Sequence, residues 1–165
     1  MTSLSRKSPA LIVAGLMAFD LAAAPLVSAA DAKPSQAIVS EFVQALGAKD
    51  IAKVRAMLAP DATVMLPFGS GEGTTAKSRT FEGVEQAMGY FGSADQRLAT
   101  VGFADVEISL AGDDRVFVEA TGDMTLPDGR AYRNRYVIRF DIADGRITEV
   151  REYFDPLVAG AAFGN

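Results

Sequence analysis

A chain of 165 residues, 49% hydrophobic and 22% charged, is long enough for one compact domain with a buried core and short for two. It has no Cys, no His and no Trp, which excludes disulfides, thiolate nucleophiles, zinc sites built on Cys or His and every triad that uses imidazole as its base. Proton chemistry is left to Asp, Glu, Lys and Tyr. The net charge of −5 without a basic stripe argues against nucleic acid as a partner, because that affinity rests on Lys and Arg neutralising phosphates.

The first thirty residues read as a signal peptide. Arg6 and Lys7 precede an apolar run over 10–19, and small residues end the segment at Val27, Ser28, Ala29 and Ala30, ahead of Asp31. Asp20 interrupts the apolar run, which argues against a stable membrane span, since a carboxylate in mid-bilayer costs about 2.5–3.5 kcal/mol even on insertion scales. The expectation is a leader over 1–30, a single mature domain over 31–165 that stays acidic, and a secreted or periplasmic location.

In the mature part, Ile38, Phe42, Val43 and Leu46 fall at helical spacing, predicting a helix over 35–47 with Ser35 as cap and Gly47 as stop. A short helix follows from Asp50 as cap through Ile51, Val54 and Leu58 to Pro60. Residues 62–66 read as a first strand. The Gly-, Ser- and Thr-rich stretch 68–80 has no period and reads as a long loop. A third helix over 83–91 carries Val84, Met88 and Phe91. From Leu98 the period changes to two, with strands expected over 98–110, 115–125, 130–142 and 146–154. The separators, Ala111-Gly112-Asp113-Asp114, Pro127-Asp128-Gly129 and Asp144-Gly145, are of hairpin type, so these strands form an antiparallel meander. Residues 157–165 form a small, apolar, Gly-rich tail. The order predicts an α+β fold with three N-terminal helices packed on one face of a curved antiparallel sheet that ends in a four-strand meander.

Alternation along a strand sorts the polar residues by face. Tyr132, Asn134, Tyr136, Ile138, Phe140 and Ile142 share one face of the third meander strand and must look toward the helices; Arg133, Arg135 and Arg139 form a basic row on the other. In the last strand Glu152 lies in a row with Thr148, Val150 and Phe154, opposite Ile147, Glu149, Arg151 and Tyr153. A carboxylate between Val150 and Phe154 is either ligand-facing, with its pKa raised by desolvation, or paired with an Arg such as Arg130 or Arg151, or solvated at the sheet edge. Tyr132 and Tyr136 are either core aromatics with satisfied hydroxyls or hydrogen-bond donors to Glu152 or a ligand, and Asn134, an amide on an apolar face, needs partners. Asp155 before Pro156 ends the strand. The glycines of 69–73 lack a phosphate loop's context, and Asp113-Asp114 falls in a turn, so neither a metal nor a cofactor is expected.

The order of elements, Thr80-Phe81-Glu82-Gly83 before the third helix, the strand Tyr132-Arg133-Asn134-Arg135-Tyr136, and Gly145-Arg146-Ile147 followed by Arg151-Glu152-Tyr153-Phe154-Asp155-Pro156 resemble the NTF2-like superfamily, and within it the SnoaL-like group of polyketide cyclases, ketosteroid isomerase relatives and phenazine-biosynthesis proteins. The resemblance spans about 35–156 and implies a cone-shaped pocket between helices and sheet, with dimerisation through the outer sheet face. It places Glu152 where the phenazine-biosynthesis proteins carry the pocket acid, without their assisting His. The Asp base of ketosteroid isomerases has no counterpart in Thr63-Val64-Met65-Leu66. The implied function is an exported protein that binds a small, largely apolar molecule, with Asn134, Tyr132, Tyr136 and Phe154 as ligand contacts. The alternative is an acid/base enzyme of isomerase, cyclase, dehydratase or condensing type acting on a small carbonyl compound, with Glu152 and Tyr136 as its catalytic candidates.

Overall fold

The computed structural model describes residues 34–72 and 75–164, and the expected leader over 1–30 lies outside them. Twelve elements follow in order: α1 (Pro34–Gly47), α2 (Ile51–Met57), β1 (Leu58–Glu72), β2 (Thr75–Glu82), α3 (Gly83–Arg97), β3 (Phe103–Ala111), β4 (Arg115–Gly122), β5 (Met124–Thr125), β6 (Ala131–Tyr132), β7 (Arg135–Ala143), β8 (Arg146–Phe154) and α4 (Pro156–Phe163). Six strands form one sheet in the order β2-β1-β8-β7-β4-β3, and β5 and β6 pair separately. All neighbours are antiparallel except β1 and β8. The chain reaches β8 only after the whole meander β3-β4-β7-β8 has been laid down, so β1 is joined to it by long-range contacts alone. Among the described residues no helix is long and apolar enough to cross a membrane.

The core lies between α1, α3 and the concave face of the sheet. Phe42 is fully buried and meets the rings of Phe91 and Phe140 edge-on, with centroids 5.5 and 5.6 Å away. The buried stripe of α1 runs Ser35, Val39, Phe42 and Ala45, so Ile38, Val43 and Leu46 flank the core. Ser35 is helical here and not the expected cap; its hydroxyl donates to the Asp113 carbonyl at 2.8 Å, tying the start of α1 to the β3–β4 turn. Asp50 does cap α2, accepting from the Lys53 amide at 3.0 Å.

Residues 68–72 and 75–80 are not a loop. They form the end of β1 and most of β2, with Leu66 opposite Arg79 and Ser70 opposite Lys77, and a register shift between Leu66 and Ser70. A sheet edge is held by backbone pairing, which asks for no apolar period in the side chains. Two predicted strands are also broken. β4 ends at Gly122, and β6 is separated from β7 by Arg133 and Asn134, so a two-stranded hairpin leaves the main sheet there. Gly122 is needed at this corner: a Cβ on it would stand 3.0 Å from the Tyr136 ring, and its amide donates to the Asn134 carbonyl at 2.7 Å. The tail forms a helix, α4. Asp155 accepts from the Leu157 and Val158 amides at 2.8 and 3.4 Å, Pro156 starts the first turn, and Gly164, in the left-handed region, ends it.

On the outer face the arginine row is largely paired. Arg115 and Arg139 both engage Asp141, and Arg139 and Arg151 both engage Glu149, so charges alternate across β4, β7 and β8. Arg133 lies between β6 and β7, on Asp123 and on the Met124 and Tyr132 carbonyls.

Candidate functional site

Every even-numbered residue of 132–142 is buried, as alternation requires. In β8 the alternation slips once. Asp141 pairs with Glu149 but Ile142 with Ile147, which leaves Thr148 as a bulge residue whose hydroxyl donates back to the Asp141 carbonyl at 3.1 Å. The bulge turns Ile147 inward, against the expectation that it faces out with Glu149, and leaves Val150, Glu152 and Phe154 on the concave face.

The concave face, α3 and α4 enclose a cavity of about 770 Å³. Its walls are mainly apolar and aromatic, with Phe42, Leu66, Phe91, Leu98, Ile138, Phe140, Val150 and Phe154 among them, and α4 closes one side with Pro156, Ala159, Gly160 and Phe163. A volume and lining of this kind are typical of sites for small organic molecules. Among the described residues Glu152 is the only carboxylate in the lining.

The Glu152 side chain reaches into this apolar surround and takes one hydrogen bond: the Tyr90 hydroxyl donates to Oε2 at 2.5 Å. Tyr90 comes from the middle of α3, its ring seated against Phe81 and Phe91 with centroids 5.0 and 5.3 Å away. Neither expected arginine pairs with Glu152: Arg130 engages Asp128, and Arg151 engages Glu149 on the outer face. Burial raises the Glu152 pKa above the usual carboxylate value, and the Tyr90 donor offsets part of the rise. The Tyr90 and Tyr136 phenols are pushed well above their usual value, by burial first and then by the neighbouring Glu152 charge. Both therefore stay protonated near neutral pH and can act as hydrogen-bond donors but not as bases. Beside these two donors, Glu152 is the carboxyl of the cluster and its candidate proton acceptor.

Tyr132, Tyr136 and Phe154 line the cavity with Glu152. The Tyr136 hydroxyl donates to that of Tyr132 at 3.3 Å, and the Tyr136 ring packs edge-on against Phe103, also in the wall. Asn134 is placed differently. It is 1% exposed, lies outside the cavity lining, and spends its amide inside the protein. Nδ2 donates to the Tyr132 hydroxyl and the Asp155 carbonyl, both at 3.0 Å, while Oδ1 accepts from the Arg135 and Asp155 amides at 2.8 and 3.0 Å. Asn134 therefore clamps the end of β8, and the helix that follows it, to the start of β7, and it holds the Tyr132 hydroxyl. Of the four residues expected as ligand contacts, Tyr132, Tyr136 and Phe154 line the cavity and Asn134 does not.

Sequence reasoning missed Tyr90, along with Arg79 and Arg97, which line the same cavity. The signal for Tyr90 was a helical row of Ala87, Tyr90 and Ala94; ending the third helix at Phe91 cut that row short, since α3 runs on to Arg97. Among the described residues no cluster of acidic side chains could hold a metal ion.

Helices on a curved sheet thus enclose an aromatic-walled cavity that holds, among the described residues, one carboxyl, the architecture of a small α+β domain. The profile of the SnoaL-like domain matches residues 39–150, and the chain belongs to that family. Solved structures share the fold. A phenazine biosynthesis-related protein from Pseudomonas aeruginosa is 15% identical with a TM-score of 0.63, covering 79% of this chain and 85% of its own. An NTF2-like protein of unknown function from Burkholderia pseudomallei is 22% identical with a TM-score of 0.67, covering 81% and 100%. An LEH-like epoxide hydrolase from M. tuberculosis is 24% identical with a TM-score of 0.55, covering 78% and 88%. A search of curated proteins finds no match to this sequence.

Proposed function

We propose that this chain binds a small, largely apolar molecule in the cavity between α3, α4 and the sheet, with Tyr132, Tyr136 and Phe154 in contact with it. The observation that carries the reading is an apolar cavity of about 770 Å³ containing one carboxyl and donor phenols, the combination by which such sites orient a ligand inside an oily wall. Ala94→Trp, which fills the cavity from α3, tests it. Binding of apolar small molecules followed by amide NMR shifts should map to the cavity and be lost in the folded variant. Binding that persists in Ala94→Trp, or that maps elsewhere, would refute it.

A second reading is favoured by the state of Glu152. One oxygen is held by Tyr90, while Oε1 has no protein partner among the described residues. A carboxylate made more basic by burial, with one oxygen free, can take a proton from a carbon next to a carbonyl and return it elsewhere, the elementary step of isomerisation, cyclisation and dehydration. In this reading Tyr136 donates toward the developing oxyanion, and Glu152→Gln abolishes turnover while leaving the fold intact.

The same proposal places the protein outside the cytoplasm, its leader removed near Asp31, as a homodimer joined through the outer sheet face. Val137, 40% exposed there, supports the dimer. N-terminal sequencing of exported material and sedimentation of the mature chain with and without Val137→Glu check these two statements. An intact Met1 refutes the first, and a monomeric parent the second.

A further inference from the structure

The charged groups around the cavity contradict the charge of the chain. The protein is acidic overall, yet the described residues of the cavity lining include Arg79 and Arg97, with Glu152 as the one carboxylate among them. Arg79 and Arg97 are exposed while also lining the cavity, so they stand where it opens to solvent. Six other arginines, Arg55, Arg115, Arg130, Arg133, Arg139 and Arg151, each engage a carboxylate, while Arg135 and Arg146, away from the cavity, engage none among the described residues. Arg79 and Arg97 have no carboxylate partner among the described residues. Each is instead laid over an aromatic ring, Arg79 at 4.8 Å from the Phe81 centroid and Arg97 at 4.2 Å from that of Phe163. A guanidinium stacked by its face keeps its N–H edge free for the bidentate grip that suits a carboxylate. Glu152, held by Tyr90, does not occupy that edge.

Resting on the reading of the cavity as a ligand site, we propose that the ligand is an amphipathic organic anion, its apolar body inside the cavity and its carboxylate or similar group held by Arg79 and Arg97 at the opening. An uncompensated cationic rim around an apolar recess attracts such a molecule and repels a cation of the same shape. It also sets the direction of binding, with the uncharged end toward Glu152, so that no second anion is brought against that carboxyl.

The test uses three acids and their primary amides: phenylacetate, naphthalene-1-acetate and decanoate against phenylacetamide, naphthalene-1-acetamide and decanamide. Affinities for the full chain are measured by NMR titration at neutral pH. The acids should bind at least about fivefold more tightly than the amides, the scale of one to two partly exposed ion pairs. Added salt should shrink that preference. In the double variant Arg79→Gln, Arg97→Gln the preference should vanish while amide binding persists, and Arg79→Lys, Arg97→Lys should restore part of it. Equal binding of acid and amide, or a preference that survives in the double Gln variant, overturns the anion proposal and leaves the cavity reading standing. Failure of all six molecules to bind overturns both.

Discussion

Tyr90→Phe isolates the one hydrogen bond made to Glu152. The substitution removes a single oxygen and keeps the ring that packs against Phe81 and Phe91, so the fold and the cavity wall persist. What changes is the balance between the two forms of Glu152. A hydrogen bond to a charged group is worth about 1.5–3 kcal/mol, and one between neutral groups about 0.5–1.5 kcal/mol. Removing the 2.5 Å bond from Tyr90 therefore costs the carboxylate about 1 kcal/mol or more beyond what it costs the acid. Burial already favours the acid, and the Tyr90 donor is the opposing influence, so both changes point the same way. The Glu152 titration in Tyr90→Phe must move upward from that of the parent, which itself lies above the usual carboxylate value.

The assay is a carboxyl-carbon NMR titration of the two proteins, with Glu152→Gln to assign the signal. If the midpoint is unmoved or falls, Tyr90 does not donate to the carboxylate and the account of the site fails. If the parent titrates like a solvated Glu, the cavity does not desolvate Glu152 and the acid/base reading goes with it.

The raised pKa of Glu152 also makes a statement about stability. The folded chain holds that proton more tightly than the unfolded chain, so the contribution is complete below the unfolded value, about 4.3, and is lost as pH rises through the folded one. Glu152→Gln avoids that loss and can still accept from Tyr90, so urea unfolding should show the variant gaining on its parent as pH rises above about 4.3; a constant difference would refute this. Asn134→Ala removes four hydrogen bonds at once, one buried and three part-buried, and should lower stability by about 3 kcal/mol or more. A loss under about 1 kcal/mol would mean that the clamp is dispensable. Asp155→Ala deletes the α4 cap and should cost about 1 kcal/mol. Hydrogen exchange should then speed up in α4 and not in β7, and uniform acceleration would count against a local role.

Much of the fold was legible because its elements repeat a simple period. Alternation alone puts Tyr132 to Ile142 on the buried face, and Asp50 announces α2 by its residue type. The failures have physical reasons. The β1–β2 hairpin is a sheet edge whose pairing leaves no apolar period in residues 68–80. The Thr148 bulge inserts one residue, and parity reasoning carries that error straight to Ile147. Asn134 lies on the expected face but binds backbone instead of a ligand, because alternation tells which layer a side chain enters and is silent on whether backbone groups there consume it. Tyr90 lies 62 residues from Glu152, and no local pattern in either helix or strand encodes that meeting.

The composition that excluded imidazole also narrows what the site can do. An enzyme with a separate acid and base can protonate one atom while deprotonating another. Here both phenols near Glu152 are held in their protonated form, and the Asn134 amide is spent on backbone. In an acid/base enzyme built on this site one carboxyl would take a proton and give it back, which suits reactions with no net proton uptake and in which donor and acceptor atoms lie within reach of the same oxygen. Tyr90 fixes Oε2, so that oxygen is Oε1. A cationic opening adds a constraint from the other end, because a ligand anchored at Arg79 and Arg97 presents only its far portion to Oε1. If the chain is catalytic, the distance between the anionic group and the reacting carbon becomes a selectivity filter. In a homologous series of ω-aryl carboxylates, turnover should peak at one chain length while affinity changes smoothly. Turnover and affinity that rise together would show that the anion does not set the register.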